Sequence, residues 1–281
     1  MQPNFFSCAN GRPMAKPILW TFRFSLLFLF AITPLLSAQD FRIETELYVG
    51  DSTKSGSRNV TVFSDSLVYD FLMSDTAVSE PVQITVFDRT EKKFILIDMQ
   101  QKIRLELERA QLIKLLEGLR TETMQNESVR FMADIQFKEE FDVTSGIVEA
   151  KSDLIRYELK GNHPADSTIL PAYHDFLDHY TMLGASDPQR FPPFARMKFN
   201  QVIKKYGWIP TEVTLTVGTN EVFQRAIKAR TQHTLNMNLS DRDRERIQLA
   251  KRCWMNYKIV SMAEFRGLPK LVKDDATTKK Q

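Results

Sequence analysis

Between Phe41 and Leu107 short strand-like stretches, alternating or continuously apolar, are separated by polar turns, and that rhythm restricts the fold more than any other feature of the chain. Phe41, Ile43, Leu47 and Val49 fall on one side of an extended backbone, while Arg42, Glu44 and Glu46 fall on the other. A period of two marks a half-buried antiparallel strand. Segments 59–63 and 67–73 follow, with Ser64, Asp65 and Ser66 between them, the signature of a hairpin. Apolar stretches at 82–87, 94–97 and 102–107 are separated by polar turns at 88–92 and 98–101. Six strands about ten residues apart predict an antiparallel meander. A meander with an apolar face must bury that face under helices or a second sheet.

The period then lengthens. Leu112, Ile113, Leu115, Leu116 and Leu119 recur at helical spacing over 108–124. Strands are predicted again at 131–141, 146–150 and 154–159, and helices over 171–183 and 194–206. Pro192 and Pro193 stand where the second of these helices can begin, and Gly207 stops it. Strands at 210–217 and 222–237 come next. Ser240 and Asp243 form a capping pair for a helix through Ile247, Ala250 and Trp254. A last strand is predicted at 257–265. The expected fold class is α+β: a curved antiparallel sheet, a half-barrel of about nine to eleven strands, packed against three or four helices.

The first 38 residues read as an export signal. Arg12, Lys16 and Arg23 are its only charges, an apolar run occupies 25–36, and the small residues Ser37 and Ala38 precede Gln39-Asp40. A run of about 12 apolar residues is shorter than the ~20 needed to span a bilayer. The expectation is cleavage near Ala38, with Met14 as an alternative start and an uncleaved membrane anchor as the alternative outcome. One domain over 39–268 and a disordered polar tail over 269–281 are expected to follow. The destination is the periplasm or another exported compartment of a bacterial envelope. Of the two cysteines, Cys8 leaves with the signal, so Cys253 is alone and no intramolecular disulfide can form. Asn59, Asn126 and Asn238 head glycosylation triplets, but a cysteine-poor exported chain is expected to be bacterial, where they carry no meaning.

Removing the signal changes the charge. The formal net charge of +3 comes from 38 basic and 35 acidic residues; without the three basic residues of 1–38 the balance is zero. That excludes an electrostatic case for nucleic-acid binding. The charge is also uneven: residues 39–195 carry a net −10 and residues 196–281 a net +10. Either the two parts attract each other within one domain, or the basic C-terminal half meets anionic headgroups at a membrane surface.

Catalytic signals are sparse. His174 and His179 each have a carboxylate four residues away, Asp178 and Asp175, on one predicted helix. Five residues on a helix turn the two rings about 140° apart, so they cannot share a metal. His163 and His233 stand alone. No G-x-S-x-G, P-loop or G-x-G-x-x-G occurs, so no catalytic residue, metal site or cofactor is expected. The aromatics say more. Tyr48, Phe63, Tyr69, Phe71, Phe87 and Phe94 lie on successive strands, and Leu116 on the helix that follows. They are either core under the helices or the wall of a cavity for an acyl chain or apolar peptide.

Those strands carry a resemblance. Leu67-Val-Tyr-Asp-Phe71, Val82-Gln-Ile-Thr-Val-Phe-Asp88, Lys93-Phe-Ile-Leu-Ile-Asp98 and Gln101-Lys-Ile-Arg-Leu-Glu-Leu107, followed by a helix, resemble in order and spacing the LolA-like periplasmic lipoprotein carriers. The resemblance covers about 45 residues. It implies an unclosed half-barrel whose apolar hollow is capped by helices, shields acyl chains and holds no catalytic residue. The Arg-Pro pair that precedes the aromatic strand in those carriers is replaced here by Phe63-Ser64. The expected function is therefore an exported, non-catalytic binder or carrier of an apolar ligand, a lipid or a lipoprotein acyl chain. The alternatives are an envelope scaffold with a filled core, and a hydrolase built on His174 or His179.

Overall fold

The computed structural model describes residues 40–74, 80–187, 190–219 and 225–268. The export signal over 1–38 and the tail over 269–281 lie outside the described residues. All six meander strands form: β1 (Phe41–Val49), β2 (Ser57–Ser64), β3 (Leu67–Met73), β4 (Pro81–Asp88), β5 (Lys93–Asp98) and β6 (Ile103–Glu108). The β2–β3 corner is tight, with Asp65 in the left-handed region at φ 53°, a conformation Asp tolerates better than most residues. Helix α1 (Arg109–Gln125) follows, then β7 (Lys138–Asp142), β8 (Ile147–Lys151) and β9 (Ile155–Asn162). Helices α2 (Leu170–Leu183) and α3 (Phe194–Tyr206) precede β10 (Ile209–Val217) and β11 (Ile227–Asn236). The chain finishes with α4 (Asp241–Asn256), β12 (Lys258–Ile259) and the single turn α5 (Met262–Phe265).

The strands make one open sheet in the order β12-β6-β5-β4-β3-β2-β1-β11-β10-β9-β8-β7. Every pairing is antiparallel except β12 with β6. The molecule is thus α+β with a curved, unclosed sheet. Among the described residues there are twelve strands rather than nine to eleven, and a fifth, one-turn helix.

Three segments differ from expectation. Residues 131–141 are not one strand: Arg130–Met132 form a 3₁₀ turn, Met132 and Ile135 are buried, and pairing begins only at Lys138. Residues 257–265 pair only at Lys258 and Ile259, because the Ser261 hydroxyl accepts the Glu264 N–H and starts a helix instead. Of 222–237, Ile227–Asn236 form the strand, and residues 222–224 lie outside the described residues.

Because strand side chains alternate, the sheet has two separately packed faces. Val60, Val62, Tyr69, Phe71, Ile84, Val86, Ile95 and Ile97 lie under α4, which returns Ile247, Ala250 and Cys253. Cys253 packs its sulfur 3.8 Å from that of Met99, as a buried apolar residue would. The expected cap of α4 forms: Asp243 N–H reaches the Ser240 hydroxyl at 3.2 Å, and the Asp243 carboxylate accepts from Ser240 N–H at 2.9 Å. Asp243 is fully buried between Arg246 at 3.1 Å and Arg42 at 3.4 Å. Burial alone would raise its pKa. The Ser240 hydrogen bonds and the two guanidiniums outweigh that and hold it below the usual carboxylate range. The other face carries α2 and α3, and the rest of the core lies there.

Candidate functional site

The face under α2 grades from apolar to polar, and the register sets that gradient. One cross-strand row reads Phe41, Phe63, Val68, Phe87, Phe94 and Leu107, all buried. Phe41 and Phe63 stack at 4.1 Å, Phe87 and Phe94 at 4.6 Å. Phe176 of α2 meets Phe63 edge-on at 5.6 Å, and His179 stacks on Phe87 at 5.1 Å. The next row reads Leu235, Ile43, Thr61, Asp70, Thr85 and Leu96. The one beyond it reads His233, Thr45, Asn59, Leu72 and Gln83. Over these latter rows α2 and the start of α3 stand off the sheet and leave a partly open cavity of about 640 Å³.

Two polar groups anchor its floor. The buried Asp70 carboxylate accepts hydrogen bonds from Asn59 Nδ2 at 2.7 Å, Thr61 Oγ1 at 2.7 Å and Tyr180 OH at 2.9 Å. Burial pushes Asp70 up; those donors and the charge of Arg190 pull it down without cancelling the effect. Tyr180 is held well above the ordinary phenol value, first by burial and then by the Asp70 charge. His233 spans two hydroxyls, with Nδ1 at 3.0 Å from Thr45 Oγ1 and Nε2 at 2.9 Å from Thr231 Oγ1. Burial, then the positive charge of Arg196, pulls its imidazole down to about 3. Such a ring is neutral at physiological pH and a poor proton acceptor, so His233 and its threonines make an unpromising nucleophile pair. The upper wall is apolar, with Phe176 and Leu177 from α2, Pro193 from the α3 entry, and Phe191, which is 52% exposed at the rim.

Of the aromatics singled out in the sequence, only Phe63 lines this cavity. Phe87 and Phe94 share its face but are covered by α2. Tyr69 and Phe71 project to the opposite face: Phe63 pairs with Val68, so Tyr69 pairs with Val62 and both point toward α4. Tyr48 points away from the cavity too, donating to Glu46 at 2.7 Å beneath the Arg230 guanidinium. Leu116 is half-buried on α1 and is not part of the wall. Asp70, His233, Tyr180 and Arg196 were not foreseen. The signal available was β2, where Ser57, Asn59 and Thr61 alternate with Val60 and Val62 and share the side of Phe63.

The two helical histidines diverge. His179 engages the Asp175 backbone carbonyl at 2.8 Å, while Asp175 binds Lys92 at 2.7 Å. His174 is buried beside Tyr173 and lowered in pKa, first by burial and then by the charge of Lys204. Among the described residues no group of three or more His, Cys, Asp or Glu side chains is placed to hold a metal. A larger groove of about 990 Å³ runs along β7 and β8, but its wall carries solvent-facing charges, such as the Lys138–Glu140 pair, 81% and 62% exposed. The smaller cavity combines enclosure, an apolar wall and convergent polar groups, as ligand sites do.

No protein-family model and no curated protein matches the chain. Among solved structures it is similar to an uncharacterized conserved protein from Thermus thermophilus, with a TM-score of 0.35 and 10% identity over 79% of this chain and 90% of that one. It is also similar to PNGF-II in its C2 and P21 crystal forms, with TM-scores of 0.34 and 0.33 and identities of 8% and 7%. Both matches cover 82% of this chain, which spans about a third of PNGF-II, 32% and 33%. Likenesses of this size assign neither a family nor an activity to the chain.

Proposed function

We propose that the protein is an exported, non-catalytic binder of an amphipathic ligand, with an acyl chain held between α2 and the sheet. In this reading the open sheet is a half-barrel and α2 with α3 its lid. One observation carries it: a cavity of about 640 Å³ whose wall includes Ile43, Leu47, Phe63, Phe176 and Leu177. That volume falls within the ~300–1,000 Å³ common for small-molecule sites. Each chain methylene buried there would contribute about 0.8 kcal/mol. The polar rows give a different end of the ligand its place, which distinguishes an amphiphile from a plain hydrocarbon. The signal-like residues 1–38 and the likeness of the meander to lipoprotein carriers agree with this function.

The test is to purify the full chain from its export compartment, extract it for mass spectrometry of bound lipid, and titrate it with oleate. Saturable binding is expected, weakened by Leu177→Trp, which narrows the cavity, at unchanged urea stability. Absence of both co-purified lipid and oleate binding would remove the proposal.

A further inference from the structure

We propose that the amphiphile is an anion and that its head group, a carboxylate or phosphate oxyanion, pairs with Arg196. The inference rests on the acyl-binding function and adds the charge of the ligand. Arg196 lines the cavity and is half-buried. Its guanidinium lies 5.5 Å from the Phe199 ring of its own helix, and among the described residues no carboxylate reaches it. A guanidinium has five donors in a planar fork suited to an oxyanion, and a half-buried one without a carboxylate is a site in need of an anion.

The surroundings favour the same charge. Arg196 is the third residue of α3, a 13-residue helix with no acidic side chain in its first turn and no side-chain cap. The N-cap, Pro193, lines the cavity as well, so the positive end of the helix lies at the same wall. His233 across from it is satisfied by Thr45 and Thr231 and presents no negative charge. Arg190 adds a second guanidinium at the rim, paired with Asp187 at 3.3 Å. Among the described residues Asp70 is the one carboxylate in the wall. Its oxygens already accept from Asn59, Thr61 and Tyr180, so it is engaged by the floor rather than free to compete for Arg196. The apolar row under α2 and the cationic start of α3 therefore bracket the cavity, one suited to a chain and the other to its head.

The experiment titrates the full chain with oleate, oleyl alcohol and oleoyl lysophosphatidic acid, using the wild type, Arg196→Gln and Arg196→Lys, each checked for an unchanged urea midpoint. Oleate or the phosphate ester should bind at least about tenfold more tightly than the alcohol, as expected for hydrogen bonds to a charged group. Arg196→Gln should abolish that preference while leaving alcohol binding intact, and Arg196→Lys should restore part of it. Which anion binds more tightly separates a carboxylate head from a phosphate head. Equal binding of all three amphiphiles to the wild type overturns the anion assignment, a preference that survives Arg196→Gln overturns the pairing with Arg196, and either result leaves acyl binding standing. Binding of none of them overturns both.

Discussion

Acidification is the sharpest probe of the cavity floor, because it acts on His233 in a direction the structure dictates. The unfolded chain protonates this imidazole near 6.5, whereas the folded protein holds it neutral down to about 3. Between those values the unfolded state binds more protons, so stability contributed by the neutral ring is complete above 6.5 and is lost as the pH falls. At about 1.4 kcal/mol per pH unit, the loss from this residue alone at pH 4 is about 3 kcal/mol. His233→Gln cannot charge, and its amide can still hydrogen-bond Thr45 or Thr231. Urea unfolding of both proteins at pH 7.5 and pH 4 isolates the effect, since other acid-sensitive groups, His174 included, are common to the two. The wild type should lose about 3 kcal/mol more than the variant between the two conditions. Equal losses would mean that the ring takes up a proton freely in the folded state, and that the floor is open to water rather than enclosed.

Two further predictions concern the scaffold. Asp243→Ala removes the carboxylate half of the α4 capping box and leaves Arg246 buried without its counter-ion, which should cost about 3 kcal/mol in urea unfolding, with Asp243→Asn recovering part of the loss; a change below about 0.5 kcal/mol would show the pair to be dispensable. Gly161→Ala would set a methyl group 2.9 Å from the Ile209 carbonyl oxygen and 3.1 Å from Trp208 Cβ, so β9 and β10 must separate. A loss of about 1–3 kcal/mol is expected from that overpacking, read as a lower thermal midpoint, and an unchanged midpoint would contradict the contact.

The strands of the meander were legible because each is a short alternating or continuously apolar stretch bounded by short polar turns. Helix α3 with its Gly207 stop, and α4 with its Ser240 cap, were legible from local capping chemistry. The facing of the aromatics was not read, although the information lay in one turn. The two-residue corner at Asp65-Ser66 pairs Ser64 with Leu67, and counting back from it puts Phe63 and Tyr69 on opposite faces. Residues 131–141 looked strand-like because Phe131, Ile135 and Phe137 are apolar. They are apolar to fill core space around a turn, and burial without pairing leaves the same composition. Arg190 and Arg196 could not have been placed at the cavity. Their position depends on how α2 and α3 pack over the sheet, a nonlocal arrangement that no local pattern encodes.

Strand β1 joins the two parts of the sheet: one edge pairs with β2, next in the chain, and the other with β11, where Arg42 meets Asn236. A chain emerging N-terminus first can complete β1 to β6 early, but the far edge of β1 stays bare until nearly every residue has been delivered. That delay gives any neighbouring strand a chance to add to the bare edge, and it makes closure against β11 a slow, nonlocal event. During biogenesis the protein should therefore lean on holding factors for longest at this seam, and pulse-labelled amide exchange should find the β1–β11 bonds protected later than those of the β1–β6 meander.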